Sequence, residues 1–305
     1  MPRDMKSPLQ ILLMVFILSE VPLLHGETPA FQVLEYPFSP RAMAMGDTRA
    51  VNVTPSLEAA GNPAALTFTS DLQGKVGLVN HLVDIKGYSA IGVLPLENHR
   101  ISGEMVYFDY GLFDRTDAFG NPTGSFGFHE LSLQMAYAYS ITDRWRLGTR
   151  AGWVQRVADN TTSGQGILNF GALYHLAEDS LTVGVLVSNL AVDEGSDELP
   201  TAIRVGTSKI LTYLPLRLNL ETDYRLADNW LLALGGEILL HPQFTLRLGI
   251  NSNRFDLHTG VSASDFLAGV SGGFFVEWMG LQVEMAAQSF GAAGFISQAA
   301  LAYHF

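Results

Sequence analysis

The sequence predicts an all-β protein, a transmembrane antiparallel β-barrel of about fourteen strands with an N-terminal plug-like segment. Three observations predict it. Apolar and charged side chains alternate with period two along repeated segments, short and long connections alternate between those segments, and the last of them ends on an aromatic residue. A barrel wall meets hydrocarbon on one face and its lumen on the other, so successive side chains must alternate in character.

The N-terminus carries Arg3 and Lys6, an apolar run over 11–24 broken by Ser19, Glu20 and Pro22, and then Gly26. That order of charge, apolar stretch and small residue is the one expected of a secretory signal peptide over residues 1–26. The run is too short and broken to span a bilayer as a helix, and no later segment has the ~18 uninterrupted apolar residues such a helix needs. Residues 27–71 are expected to form a periplasmic or plug segment folded into the barrel mouth: residues 47–61 do not alternate, and Asn62 and Pro63 open an Asn-Pro-Ala motif.

Residues 72–305 are expected to form the barrel, with strands at 72–80, 84–94, 99–110, 127–140, 143–157, 164–176, 180–191, 200–211, 215–225, 229–240, 243–251, 267–278, 281–289 and 296–305. The alternation is clearest over 216–226, where Leu216, Leu218, Leu220, Tyr224 and Leu226 oppose Arg217, Asn219, Glu221, Asp223 and Arg225. Trp145, Leu147, Ala151, Trp153 and Val157 likewise oppose Arg146, Arg150 and Arg156. Leu131, Leu133, Met135, Tyr137 and Tyr139 share a face opposite Glu130, Ser132, Gln134 and Ser140.

Short turns near Thr142, Ala177, Tyr213, His241 and Gly280 are assigned to the periplasm, and longer loops at 111–126, 158–163, 191–199 and 252–266 to the cell exterior. An even strand number returns both ends of the barrel to one side. The final strand places Leu301, Tyr303 and the terminal Phe305 on one parity, the kind of end read by the barrel-assembly machinery.

The polar faces carry Arg146, Arg150, Arg217, Glu221, Asp223, Arg225 and Arg247. These lumen-lining charges of mixed sign suit ion pairs across a narrow interior better than a wide water pore.

A net charge of −12 argues against a nucleic-acid partner, and the absence of cysteine excludes disulfides and thiolate chemistry. Gly269-Val270-Ser271-Gly272-Gly273 matches the G-x-S-x-G pattern, but it runs into Phe274, Phe275 and Val276 as a strand. A hydrolase nucleophile needs a sharp strand-to-helix turn there. No metal, cofactor or catalytic residue is expected. The acidic group Asp193, Glu194, Asp197 and Glu198 reads as a solvated loop, and the spacing of Asp114, Asp117 and Asn121 is not that of a calcium loop. Phe113, Asp114, Arg115, Asp117, Phe119 and Asn121 instead make up a candidate partner-binding loop.

Four stretches carry a family resemblance: FSPRAMAMGD from Phe38, GNPAAL from Gly61, YGLFDRTDAFGNPTGSF from Tyr110, and LRLGINSNRFDLHTGVSASDFLAGVSGGF from Leu246. The chain resembles the PorV/PorQ family of outer-membrane proteins, PorQ more than PorV, a family itself similar to FadL-type transporters. Asp47 stands where members of that family often have a second Gly. The resemblance implies a fourteen-stranded barrel in the outer membrane of a Gram-negative-type bacterium. It also implies a non-enzymatic role in type IX protein secretion, with partners among a sortase, a cargo shuttle and a PorZ-like surface protein. The alternative is a FadL-like transporter of hydrophobic small molecules, and the charged lumen is the feature that separates it from the first reading.

Overall fold

The computed structural model describes residues 30–51, 53, 57–58, 61–193, 197–226, 230–257, 260 and 262–305; the expected signal segment 1–26 and Glu194 lie outside them. Fourteen antiparallel strands form one closed sheet: β1 (Gln73–Asn80), β2 (Lys86–Leu96), β3 (His99–Thr116), β4 (Pro122–Ser140), β5 (Trp145–Ala158), β6 (Thr161–Leu176), β7 (Leu181–Ala191), β8 (Ala202–Ile210), β9 (Leu216–Arg225), β10 (Trp230–His241), β11 (Phe244–Asn251), β12 (Val270–Trp278), β13 (Leu281–Ser289) and β14 (Phe295–His304). Each strand pairs with its sequence neighbours, and β1 closes on β14 with Gln73 opposite His304. The expected fold and strand number therefore agree with the observed barrel.

Two expected loops are not loops. Residues 111–126 belong mostly to β3 and β4, joined by a tight turn at 117–121, because the Asp117 carboxylate accepts the N–H groups of Phe119 and Asn121 and closes it. Residues 158–163 shrink to a two-residue turn between Ala158 and Thr161, with Asp159 at φ 55°. A left-handed residue fits the twist of a tight hairpin, and Asp tolerates it. The expected strand at 267–278 begins only at Val270, since Ser262–Leu267 forms a short helix.

Along the strands the outward side chains are mostly apolar, with polar ones such as Lys209 and Ser297 near the strand ends. Val76, Leu133, Met135, Leu147, Trp153, Leu220, Leu234, Leu248 and Leu301 are all exposed. Two rings of aromatic residues bound this belt. Trp145 meets Tyr174 at 4.7 Å near the short turns, and Tyr224 meets Trp230 at 4.9 Å near the long loops. A closed sheet leaves no free edge, and an apolar belt between aromatic girdles is the surface a bilayer requires.

The inward side chains would leave charges in an apolar shell, and the chain before β1 supplies their partners. Residue Ala30 starts at the long-loop end, where its N–H donates to the Glu198 carbonyl, and Leu72 leaves at the short-turn end to enter β1. Between them, helix α1 (Pro40–Ala44) packs against β11 to β13, and a 3-10 turn (Pro63–Phe68) packs against β4 to β6. Both begin the same way: a side-chain oxygen caps the first turn and a proline follows. Ser39 Oγ accepts the Ala42 N–H, and Asn62 Oδ1 accepts the Ala64 N–H.

Asn62 also donates to the carbonyls of Ala50 and Val185, which ties the plug to itself and to the wall. The wall makes room for such contacts. A Cβ at Gly171 would fall 1.9 Å from Asn62 Oδ1, and one at Gly249 would fall 2.1 Å from the Gly46 nitrogen.

Two ion networks fill the rest. In the first, Arg41 donates to Glu237 at 2.9 Å and to Glu58 at 3.3 Å, while Arg217 and Arg247 share Glu237. Arg247 also reaches Glu284, whose other partner is Lys75. In the second, Arg204 bridges Asp47, Glu221 and Asp223, and the Glu221 carboxylate accepts the N–H groups of Arg49 and Ala50. Apart from these, Arg150 on β5 pairs with Glu104 two strands away on β3 and donates to the Gly61 carbonyl.

Replacing Glu237 by Ala removes the carboxylate that three buried guanidinium groups share. Arg41 keeps Glu58 and Arg247 keeps Glu284, but Arg217 loses its carboxylate, and breaking a buried pair in this way costs about 3–5 kcal/mol. The expected result is a marked fall in the temperature at which the compact barrel band is lost on unheated gels. Arg144→Ala, which removes an exposed pair with Glu178, should leave that temperature unchanged. Equal behaviour of the two variants would show that the network does not hold the barrel together.

Candidate functional site

The plug does not fill the barrel evenly. At the long-loop end a cavity of ≈ 630 Å³ opens between plug and wall. Its floor is the plug itself, Gln32, Glu35, Tyr36, Pro37 and Asp47. Its sides come from the β1–β2 connection (His81, Ile85), from β3 (Phe108, Tyr110), from Arg225 at the end of β9, and from the ends of β11 and β13 with the residues beyond them (Asn251, Leu257, Gln288, Phe290). The volume lies in the range of small-molecule sites. Deeper in, an enclosed space between plug and wall measures only ≈ 20 Å³, about the room of one water. A larger trough of ≈ 1200 Å³ runs along the outer wall past Gly74, Gly92, Met135 and Tyr303, on the surface that faces hydrocarbon, and is no chamber.

The cavity has an aromatic side and a polar side. Tyr36 packs on Phe38 at 5.4 Å and on His81 at 5.2 Å, and Phe108 meets both Phe38 and Tyr110 edge-on. On the other side the inner charges have partners, while Asp256 stands exposed at the rim. Arg225 donates to Asp223 at 3.0 Å and lies 3.9 Å from Glu35, while Asp47 pairs with Arg49 and Arg204.

Asp47 also explains the departure from glycine at its position. It takes φ 74° directly after Gly46 at φ 71°, a conformation Asp tolerates, and its carboxylate secures the turn through those two arginines. Burial alone would raise that carboxyl, but Arg49 and Arg204 hold it below its ordinary value. Burial pushes the Tyr36 hydroxyl well up and the His81 imidazole down, so both rings are uncharged at neutral pH. The cavity thus offers apolar ring faces beside paired inner charges, with Asp256 exposed at its rim.

The residues singled out in the sequence fall into separate places. Arg150, Arg217, Glu221, Asp223 and Arg247 are buried inside the barrel, where Arg150 and Glu221 bind the plug and Arg217, Asp223 and Arg247 pair with opposite charges on the wall. Arg146 stacks over Phe68 of the plug at 4.1 Å, and Arg225 reaches the cavity. Asn62 and Pro63 sit at the joint between plug and β4 to β6. Phe113, Asp114, Arg115, Asp117, Phe119 and Asn121 lie on the β3–β4 hairpin; there Arg115 pairs with Asp159 and Phe113 stacks on Phe126, while Phe119 is 91% exposed.

Leu301, Tyr303 and Phe305 point outward on β14 and just past it. The G-x-S-x-G serine, Ser271, lies on β12 and spends its hydroxyl on the Ala44 carbonyl, anchoring α1. Arg156 reaches Asp197 of the acidic group. Tyr36, Phe108 and Phe290 were not marked by any motif; the shared parity of Phe108 and Tyr110 with the inward row of β3 was the signal available for two of the cavity's rings.

Fold and site together define a plugged fourteen-stranded barrel with an aromatic-walled chamber at one mouth. No family model and no curated protein matches the chain. Solved structures share its fold. The toluene transporter TbuX of Ralstonia pickettii aligns with TM-score 0.57 and 14% identity over 88% of this chain and 98% of that one. The toluene transporter TodX of Pseudomonas putida gives 0.56 and 11% over 92% and 98%, and the monoaromatic hydrocarbon channel CymD 0.59 and 12% over 90% and 99%.

Because Tyr36 and His81 stay uncharged, binding of a neutral aromatic probe in the cavity is expected to be flat between about pH 7 and 9. A fluorescence titration of a naphthalene-type probe would read this. A steep decline across that interval would mean that a charged form of one of these rings takes part.

Proposed function

We propose that the protein is an outer-membrane channel that admits small uncharged hydrophobic molecules, with the mouth cavity as its binding site. The observation that carries this is the ring-walled cavity of ≈ 630 Å³ between plug and wall, whose inner charges, Asp47 and Arg225, are already paired. Apolar guests gain by leaving water for such a chamber. The shared fold of barrels that carry toluene and other monoaromatic hydrocarbons supports the same reading.

The lumen charges do not oppose it: most pair with the plug or with one another, and Arg225, which does reach the cavity, is paired with Asp223. In this reading the long loops face the exterior, residues 27–71 form the plug, and Leu301, Tyr303 and Phe305 serve barrel assembly and face lipid.

The test is uptake of radiolabelled toluene by cells of a porin-deficient Gram-negative host. Expression of the chain should raise the initial rate clearly above the empty vector. Phe108→Asp, which sets a charge in the cavity, should return it to background while the barrel stays heat-modifiable on gels. Uptake no faster than the vector control would refute the proposal.

A second reading, a docking component of type IX secretion, draws support from the β3–β4 hairpin, whose Leu112 and Phe119 are exposed by 78% and 91%. It predicts that deleting 112–125 abolishes co-purification with a sortase, shuttle or PorZ-like partner from native membranes. Unchanged co-purification would exclude the hairpin as the docking surface.

A further inference from the structure

The β3–β4 hairpin carries a row of rings whose continuity depends on one irregular residue. β3 pairs with β2 only as far as Asp109, opposite Lys86, and β4 pairs with β5 only as far as Phe128, opposite Ala158. Residues 110–116 and 122–127 therefore stand clear of the neighbouring strands, and at ~3.3 Å per residue they reach about 20 Å beyond them.

Uninterrupted alternation along β3 would carry the inward face from Phe108 through Tyr110 to Leu112 and Asp114, leaving Phe113 on the outside. Instead the register steps from Asp109 opposite His129 to Leu112 opposite Gly127, so Tyr110 and Gly111 together face Phe128. Gly111 adopts φ 85°, with its N–H held by the Asp109 carboxylate at 2.9 Å. A Cβ there would meet nothing within 4 Å, so glycine is needed for its backbone conformation and not for space. One extra residue reverses the parity beyond it. Phe113 is thereby turned to the face shared by Tyr110, Phe126 and Phe128.

The result is an unbroken row. Phe126 stacks on Phe113 at 5.7 Å, Phe113 lies 6.4 Å from Phe128, and Phe128 stacks on Tyr110 at 4.3 Å. Tyr110 meets Phe108 at 5.2 Å, and Phe108 meets Tyr36 at 5.7 Å on the cavity floor. The carboxylate nearest the row, Glu130, already accepts the Tyr110 hydroxyl and the Val33 N–H.

We infer that this row is a capture path for small uncharged aromatic molecules, which the protruding hairpin collects and hands from ring to ring into the mouth cavity. The inference rests on the transport reading above and adds to it a preference for aromatic over aliphatic guests. Successive rings offer a planar guest comparable offset or edge-on contacts, so no step along the row is a deep trap. The bland alternative is that the rings serve only as cross-strand pairs that stiffen the hairpin.

The experiment compares initial uptake of radiolabelled toluene and heptane by the full chain in the porin-deficient host. The double variant Phe113→Leu/Phe126→Leu keeps apolar bulk on the hairpin and removes its outer rings. Its toluene uptake at low concentration should fall about three- to tenfold, the effect of losing one aromatic contact, while heptane uptake and the maximal toluene rate hold. Deleting Gly111 restores unbroken parity and should reproduce the toluene defect.

Toluene uptake equal to wild type in the double variant, with Phe108→Asp still blocking it, overturns the capture path and leaves the transport reading standing. Equal losses for both solutes show that the rings only support the hairpin, and likewise overturn it. A wild-type chain no faster than empty vector removes both.

Discussion

The constraint on which this molecule depends is that a barrel lined with charge cannot be left without partners. Arg150, Arg204, Arg217, Arg247, Lys75, Glu221, Asp223, Glu237 and Glu284 all point into a space shielded by an apolar wall. Each is answered by an opposite charge, and several of those answers come from the forty or so residues that precede β1. Arg41 enters the lumen with no exposed surface and meets Glu237 and Glu58; Arg49 brings its own backbone N–H to Glu221. Wall and plug are therefore one electrostatic object: the wall positions the charges, and the plug makes their burial tolerable.

That dependence explains what could be read from the chain in advance. Strand number and orientation were legible because a membrane wall enforces period two over many segments, and residues 216–226 obey it with Thr222 as the one break on the apolar face. The inward charges were legible for the same reason. What they do was not, because a charged row looks the same whether it lines water or grips a plug; only three-dimensional contact distinguishes the two. The charged lumen therefore weighed against a channel for apolar guests, and the contacts reverse that weighting.

The errors were local and have local causes. The stretch at 111–126, rich in Gly, Asp and Pro, has the composition of a loop, yet tertiary pairing extends both strands through it, and an Asx turn at Asp117 takes only five residues. The SPRA and NPAA stretches were visible as motifs, and their meaning is a shared device: a capping side chain followed by proline, each starting a short helical turn inside the barrel. The mouth cavity was the least legible part. It is assembled from plug residues and four separate strand ends, and no one-dimensional pattern joins Tyr36 to Phe290.

A stopper fixed in this manner has a mechanical consequence. The segment is continuous with the first strand at Leu72 and is gripped along its length by glycine seats and shared carboxylates, so it cannot be ejected as a cork is. Any passage has to arise from small rearrangements of side chains around a body that stays in place. The enclosed space between plug and wall has about the room of one water, which leaves no way through the lumen for a folded polypeptide.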